Sequence, residues 1–215
     1  MFFHLKIMLR NLNRNGLYSA INISGLAISL AVCILISLWV KDELSYDRFY
    51  KNGERIYRVL SQNRASLEYW SNTPAPLASF MQTEIHQIEE FCRIGRYYRN
   101  SCNYLDYENV KFRDYSIAAV DTSFFRMFDI SLIMGDRQNP LPDDLSMIIS
   151  QSKAKTFFGN EDPIGKVLKT PNDFSFTVTG IMKDIPENSS LQTDILVRFD
   201  VQQRTFQGNG HWTQI

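Results

Sequence analysis

From Asn15 to Val40 the chain carries no charged residue, and this run constrains the fold more than any other feature. Residues 21–40 alone would reach about 30 Å as a helix, the thickness of a bilayer's hydrocarbon core. A buried helix of a soluble domain seldom needs that much apolar length. A signal peptide has a shorter apolar stretch, followed by small residues at a cleavage site. Here "SLWVKDEL" follows, which offers no such site. The pattern therefore predicts a membrane-spanning helix over 18–40. Residues 1–17 precede it as a cytoplasmic or interfacial segment, and 41–215 follow as an exported domain.

The flanks set the expected orientation. Lys6, Arg10 and Arg14 precede the span, whereas Lys41 is answered at once by Asp42 and Glu43. The positive-inside rule then keeps the N-terminus in the cytoplasm and places everything after Val40 outside. Trp39 and Tyr46 suit the outer interfacial belt. Gly25, Ala27, Ser29 and Ala31 allow close helix contact and suggest packing against other spans, although small residues also occur on lipid faces. Phe2, Leu5, Leu9 and Leu12 share a helical face beside Met8, with Lys6, Arg10 and Asn13 elsewhere. Phe3 and Ile7 break the pattern, so an interfacial helix and a plain basic flank both remain open.

All 23 acidic residues lie beyond Val40, with 20 of the 23 basic ones, so the exported part is slightly acidic. A nucleic-acid partner, which needs a dense basic face, is not expected. Three cysteines are too few for a disulfide scaffold. Cys33 belongs to the apolar run. Cys92 and Cys102 either pair in an oxidising compartment or remain two thiols.

The exported part reads as a mixture of strands and helices. Asn52-Gly53 marks a turn before a strand over 56–60. Asn72 or Thr73 caps a helix over 73–88, with Pro74 near its first position and Leu77, Phe80, Met81, Ile85 and Ile88 as its apolar stripe. Residues 91–120 read as two to four antiparallel strands, with Asn100, Asn103 and Asp106 as turn residues. Asp121 starts a helical turn that packs Phe124, Phe125 and Phe128 inward. A strand over 145–149 leads to Ser150 as cap, then a helix with Ala154, Phe157 and Phe158 on its apolar face and Gly159 at its end. Asp162-Pro163 opens a loop, and Gly165 turns into the next strand. Phe174, Phe176 and Val178 alternate on one face, and "TDILVRF" forms a last strand. Strands interspersed with helices in this way indicate an α+β domain.

Chemistry-bearing patterns are sparse. His4, His86 and His211 are scattered along the chain, and no nucleophile elbow, zinc motif or phosphate loop occurs. "GNEDPIG" lacks the lysine-and-hydroxyl arrangement of a phosphate loop and carries two acids. Glu89-Glu90 and Asp143-Asp144 read as solvated surface. Tyr97, Tyr98, Tyr104, Tyr107 and Tyr115 are either a binding surface or ordinary half-buried strand residues. No catalytic, cofactor-binding or metal-ligating residue is expected, and the chain is not expected to be an enzyme.

Taken in order, "LKIMLRNLNRNGLYSAINISGLAISLAVCILISLWV", "ELSYDRFYKNGERIYRV", "VDTSFFRMFDISLIMGD", "ISQSKAKTFFGNEDPIGKVL" and "FTVTGIMKDIPENSSLQTDILV" resemble the N-terminal part of an FtsX-like ABC transporter permease of the MacB type, as in long Bacteroidetes permeases. The resemblance covers nearly the whole chain and rests on the set, above all "AKTFFGNEDPIGK" after "DTSFF". It implies an inner-membrane permease with one N-terminal transmembrane helix and a periplasmic α+β domain built from β-α-β units. It also implies three further spans, pairing as a homodimer or heterodimer, and a separate cytoplasmic ATPase subunit that binds ATP and Mg. Such systems work by mechanotransmission: dimer closure moves the external domains and exports or extracts peptide, lipoprotein or drug-like cargo, at times with a periplasmic adaptor.

Two departures stand out. Relatives often carry a proline near His86. The chain also ends at "NGHWTQI", where the resemblance leads one to expect a further strand, so the core domain is expected to be truncated at its C-terminal end. Asp47, Phe49, Arg55, Ile56 and Tyr57 are expected either to couple span to domain or simply to pack where the domain begins. Phe157, Gly159, Asp162, Pro163 and Gly165 are expected to hold the fold. The alternative function is a single-span, membrane-anchored binding or sensor module.

Overall fold

The computed structural model describes residues 16–64, 66–96, 104–113, 115–171 and 174–200. Its contacts divide the chain into two units between Tyr46 and Asp47. The first is dominated by α1 (Gly16–Glu43), a 28-residue helix with no buried side chain. It is long and apolar enough to cross a membrane. Its serines do not spoil that property: Ser24, Ser29 and Ser37 donate their hydroxyls to the carbonyls of Ile21, Gly25 and Cys33 at 3.0, 2.8 and 2.7 Å. These three hydroxyls are thus satisfied by the helix itself. Hydrogen-bonded turns, Leu44 N–H to Val40 O, Ser45 N–H to Asp42 O and Tyr46 N–H to Glu43 O, continue the chain as far as Tyr46.

The second unit opens with a 3-10 turn (Gly53–Arg55), followed by β1 (Ser61–Gln62), β2 (Tyr69–Trp70), α2 (Leu77–Glu84) and β3 (Ile94–Arg96). Next come β4 (Leu105–Tyr107), β5 (Val110–Phe112), β6 (Ile117–Val120), α3 (Phe124–Met127) and β7 (Leu132–Gly135). The last elements are β8 (Ser146–Ser150), α4 (Gln151–Phe158), β9 (Val167–Lys169), β10 (Ser175–Met182) and β11 (Ile195–Arg198). Strands β1 and β2 pair only with each other among the described residues. The other nine form one mixed sheet in the order β3-β6-β11-β8-β10-β9-β4-β5, with β7 against the end of β10.

Strands β8 and β10 run parallel, with α4 between them in sequence, which makes a β-α-β unit. Strands β6 and β11 are also parallel, while β11 and β8 are antiparallel. The inner positions of β6, β8 and β11 are apolar and buried on both sides because both sheet faces are covered. Met147, Ile149, Ile195 and Val197 enter one core with Phe157 and Phe158 of α4. Ile148 and Leu196 enter the other, with Phe124 and Phe125 of α3. Each such side chain contributes roughly 1.5–3 kcal/mol through burial.

Ser150 caps α4 as expected, its hydroxyl accepting from Lys153 N–H, and Gly159 ends that helix at φ +63°. Asp184 adds a second clamp at the same end. It accepts from Ser152 N–H at 3.0 Å and Ser152 Oγ at 2.6 Å.

Four expectations need correction. Residues 56–60 form no strand; the ladder begins only at Ser61, and Tyr57 is 84% exposed, so no neighbouring strand supplies partners there. The helix expected over 73–88 is shorter. Pro74 and Pro76 have no N–H to give, Leu77 N–H closes a turn on Pro74 O, and Ile85 is already extended. Its stripe is narrower too, since Phe80 and Ile85 are exposed. Within 91–120 the expected antiparallel strands are found, β3 with β6 and β4 with β5, and β6 pairs in addition parallel with β11, which returns from far along the chain. Asp106 lies in β4, and the turn itself is Glu108-Asn109, both at positive φ, with Asn109 N–H donating to the Asp106 carboxylate. Asn100 and Asn103 lie outside the described residues.

Candidate functional site at the start of the sheet domain

Asp47, the first residue of the second unit, is four residues past the end of α1 and adopts φ +55°. Aspartate tolerates this left-handed region better than most residues, and here the conformation turns both its backbone and its carboxylate toward one turn. Asp47 N–H donates to Asn188 O at 3.0 Å. Its Oδ1 accepts from Ser190 N–H at 2.9 Å and from Ser189 Oγ at 3.2 Å. Three residues on, Tyr50 Oη lies 2.8 Å from the same Ser189 Oγ. Ser189 is 2% exposed and Tyr50 7%, so this polar contact is removed from water.

The proton positions follow from donor counting. The ionised Asp47 can only accept, and Ser189 has one hydrogen, which goes to Asp47. Tyr50 must then donate to Ser189, whose oxygen also accepts from Leu191 N–H at 3.1 Å. Burial raises the Tyr50 pKa above its ordinary value, opposed by the Ser189 hydrogen bond and assisted by the Asp47 charge. Its ring is held by Phe49, 4.3 Å away between centroids, and edge-on by Phe128 at 5.3 Å.

Of the five residues expected either to couple span to domain or to pack where the domain begins, Asp47 bonds to the 188–190 turn. Phe49 is a half-open lid on Tyr50, and Ile56 is half-buried. Arg55 pairs with Glu89 at 2.5 Å on the surface, and Tyr57 points outward. Tyr50, Ser189 and Ser190 are the site residues that the sequence did not reveal. The only local signal is a tyrosine in a polar segment, and its partner is 139 residues away.

The remaining candidates resolve into structure. Tyr107 and Tyr115 pack edge-on against Phe158 and Phe157, and Tyr104 lies under Lys111 Nζ. Tyr97, Tyr98, Cys102, His4 and His211 lie outside the described residues, as does the segment 2–12. Glu89 and Glu90 engage Arg55 and Arg126, and Asp143 and Asp144 face Leu145 N–H and Arg198. The "DPIG" loop is stitched to β10 by Gly165 N–H to Val178 O and Val178 N–H to Lys166 O, each 2.8 Å, with Pro163 buried. Cys92 is a free thiol. Among the described residues no group of three or more His, Cys, Asp or Glu side chains could hold a metal ion.

The described residues thus comprise a helix long and apolar enough to cross a membrane and, as a separate unit, a double-cored mixed sheet. The chain belongs to the MacB-like periplasmic core domain family, which matches residues 19–215. It is similar to a domain of a Porphyromonas gingivalis protein described as a permease, with 28% identity and a TM-score of 0.55. That match covers 62% of this chain and 55% of that one, so the chain spans little more than half of that relative. The periplasmic region of MacB from Actinobacillus actinomycetemcomitans shares the fold at 15% identity and TM-score 0.51, over 70% of this chain and 67% of that one. The extracellular domain of the noncanonic ABC-type transporter YknZ from Gram-positive bacteria does so at 14% and 0.50, over 63% and 67%. Among curated proteins none matches the chain.

Proposed function

We propose that the chain is the N-terminal portion of an inner-membrane ABC permease subunit whose periplasmic domain moves when ATP is hydrolysed on the cytoplasmic side. One observation carries this reading. A helix long and apolar enough to cross a membrane precedes, in the same chain, a domain of the MacB-like periplasmic core domain family. The three basic residues before the span support a cytoplasmic N-terminus and a periplasmic domain after residue 40. ATP and Mg are bound by a separate ATPase subunit, and the permease pairs with itself or with a homologue through its spans. Export or extraction of a peptide, lipoprotein or drug-like cargo, with or without an adaptor, is the activity that follows.

The test is co-purification of the full-length gene product with the candidate ATPase, followed by ATP hydrolysis in lipid. A stable complex whose hydrolysis depends on the permease supports the proposal. A full-length product that binds no ATPase would instead favour a single-span binding or sensor module.

A further inference from the structure

Building on the permease proposal, we infer that Asp47, Tyr50 and Ser189 form a latch through which displacement of the span enters the sheet at the β10–β11 turn. Besides the Tyr50 ring on Phe128, two kinds of polar side-chain contact hold residues 47–55 to the rest of the domain among the described residues. The first is the latch itself, buried at Tyr50 and Ser189 and half-buried at Asp47, whose Oδ1 accepts from Ser189 Oγ and from the exposed Ser190 N–H. The second is a pair of surface ion pairs, Lys51–Asp129 with side chains 77% and 46% exposed, and Arg55–Glu89 with 68% and 76%. Exposed pairs are screened by water and salt and yield easily. The buried Tyr50–Ser189 pair cannot separate without leaving polar groups unsatisfied, so under load it is the contact that persists.

The receiving turn is built to pass displacement onward. Gln192 Nε2 donates to the carbonyls of Pro186, Ser189 and Glu187 at 2.7, 3.1 and 3.2 Å, which closes the turn on itself. Two residues later Asp194 ties the start of β11 to two neighbouring strands. Its carboxylate accepts from Ser116 N–H at 2.8 Å and Ser116 Oγ at 3.1 Å, just before β6. Its carbonyl accepts from Ser150 N–H at 2.7 Å, at the end of β8. A pull on Asp47 is therefore delivered to the ends of β6, β8, β10 and β11, the middle of the sheet, and only weakly to the surface around Asp129 and Glu89.

The experiment uses the full-length permease and its ATPase in lipid nanodiscs, with hydrogen exchange over residues 186–198 compared without and with a non-hydrolysable ATP analogue. Tyr50→Phe, Ser189→Ala and Asp47→Asn break the latch; Lys51→Ala and Arg55→Ala break the surface pairs. The wild type and both surface variants should show a nucleotide-dependent change in exchange. The latch variants should lose roughly half of it or more while their ATP hydrolysis stays intact, and Ser190 N–H should exchange roughly tenfold faster. Tyr50→Phe removes one hydroxyl and keeps the ring on Phe49 and Phe128, so it reports even if Asp47→Asn fails to fold. A full nucleotide response in Tyr50→Phe and Ser189→Ala overturns the latch and leaves the permease assignment standing. No complex, or no response in the wild type, overturns both.

Discussion

Arg93 grips Asp121 with both arms of its guanidinium, Nε 2.9 Å from Oδ2 and Nη2 2.7 Å from Oδ1, while its own N–H donates to Oδ2 at 2.8 Å. The two side chains are only 20% and 17% exposed. Phe199 closes the arrangement from the side, its ring centroid 4.2 Å from Arg93 Cζ. A local capping rule assigned Asp121 to the helical turn after it, but the carboxylate is committed to a residue 28 positions earlier. Asp121→Ala should lower stability by about 2–3 kcal/mol, because it strands a half-buried guanidinium. Urea unfolding of the detergent-solubilised chain reads this, and a loss under about 1 kcal/mol would show that the pair is screened like a surface one.

Gly135 and Gly159 make a pair of contrasting predictions. A Cβ on Gly135, at φ +104°, would lie 2.5 Å from Thr179 O and 2.8 Å from Gly180 Cα across the β7–β10 ladder. At Gly159, φ +63°, nothing lies within 4 Å. Gly159→Ala should therefore cost about 1–2 kcal/mol of backbone strain alone. Gly135→Ala adds overpacking and should cost more, about 2–4 kcal/mol in total. Thermal unfolding of both variants checks the order, and the reverse order would contradict the close approach of β7 to β10.

Asp184 supplies a pH dependence. Partial burial pushes its carboxyl up, but the hydrogen bonds from Ser152 Oγ, Ser152 N–H and Ser150 together outweigh that and hold it below its ordinary value. A depressed carboxylate stabilises the fold fully above its ordinary value, about pH 4, and loses that contribution as pH falls further. Asp184→Ala should cost roughly 0.5–1 kcal/mol at pH 7, as for other caps. The deficit should shrink below about pH 4. Unfolding curves at pH 7 and pH 3 test it; a constant deficit would mean that the charge plays no part.

The Cys92 thiol is pushed up to about 12, first by burial and then by the Asp121 charge, against weaker help from Ser123 and Arg93. At pH 8 its thiolate is depleted by roughly a thousandfold relative to an ordinary cysteine. Brief alkylation of the native chain followed by peptide mapping should leave Cys92 unmodified, and unfolding should expose it. Rapid native labelling would show that this side of β3 opens readily.

Much of the architecture was readable because its causes are local. The apolar run needs only its own length, since a helix satisfies its backbone internally wherever it lies. Ser150, Phe157, Phe158 and Gly159 announce α4 because capping, the helical period and positive φ act within a few residues. The apolar stretch over 145–149 announces a strand, and β8 (Ser146–Ser150) is buried at every position. Of the candidate site, Asp47 was legible from its place just beyond the span, but Tyr50 and Ser189 were not.

What only the tertiary structure decided is the set of contacts that close long loops. The direction of β6 depends on β11, the glycine at 135 on the backbone of Thr179, the task of Asp121 on Arg93, and the latch on residues 139 to 143 positions apart. Sequence carries the short-range free energies of helix, cap and burial, which are the same in any fold that contains the segment. The partner of a buried hydroxyl or carboxylate is chosen only when sheet order brings distant backbone together, and that choice leaves no periodic trace in the chain.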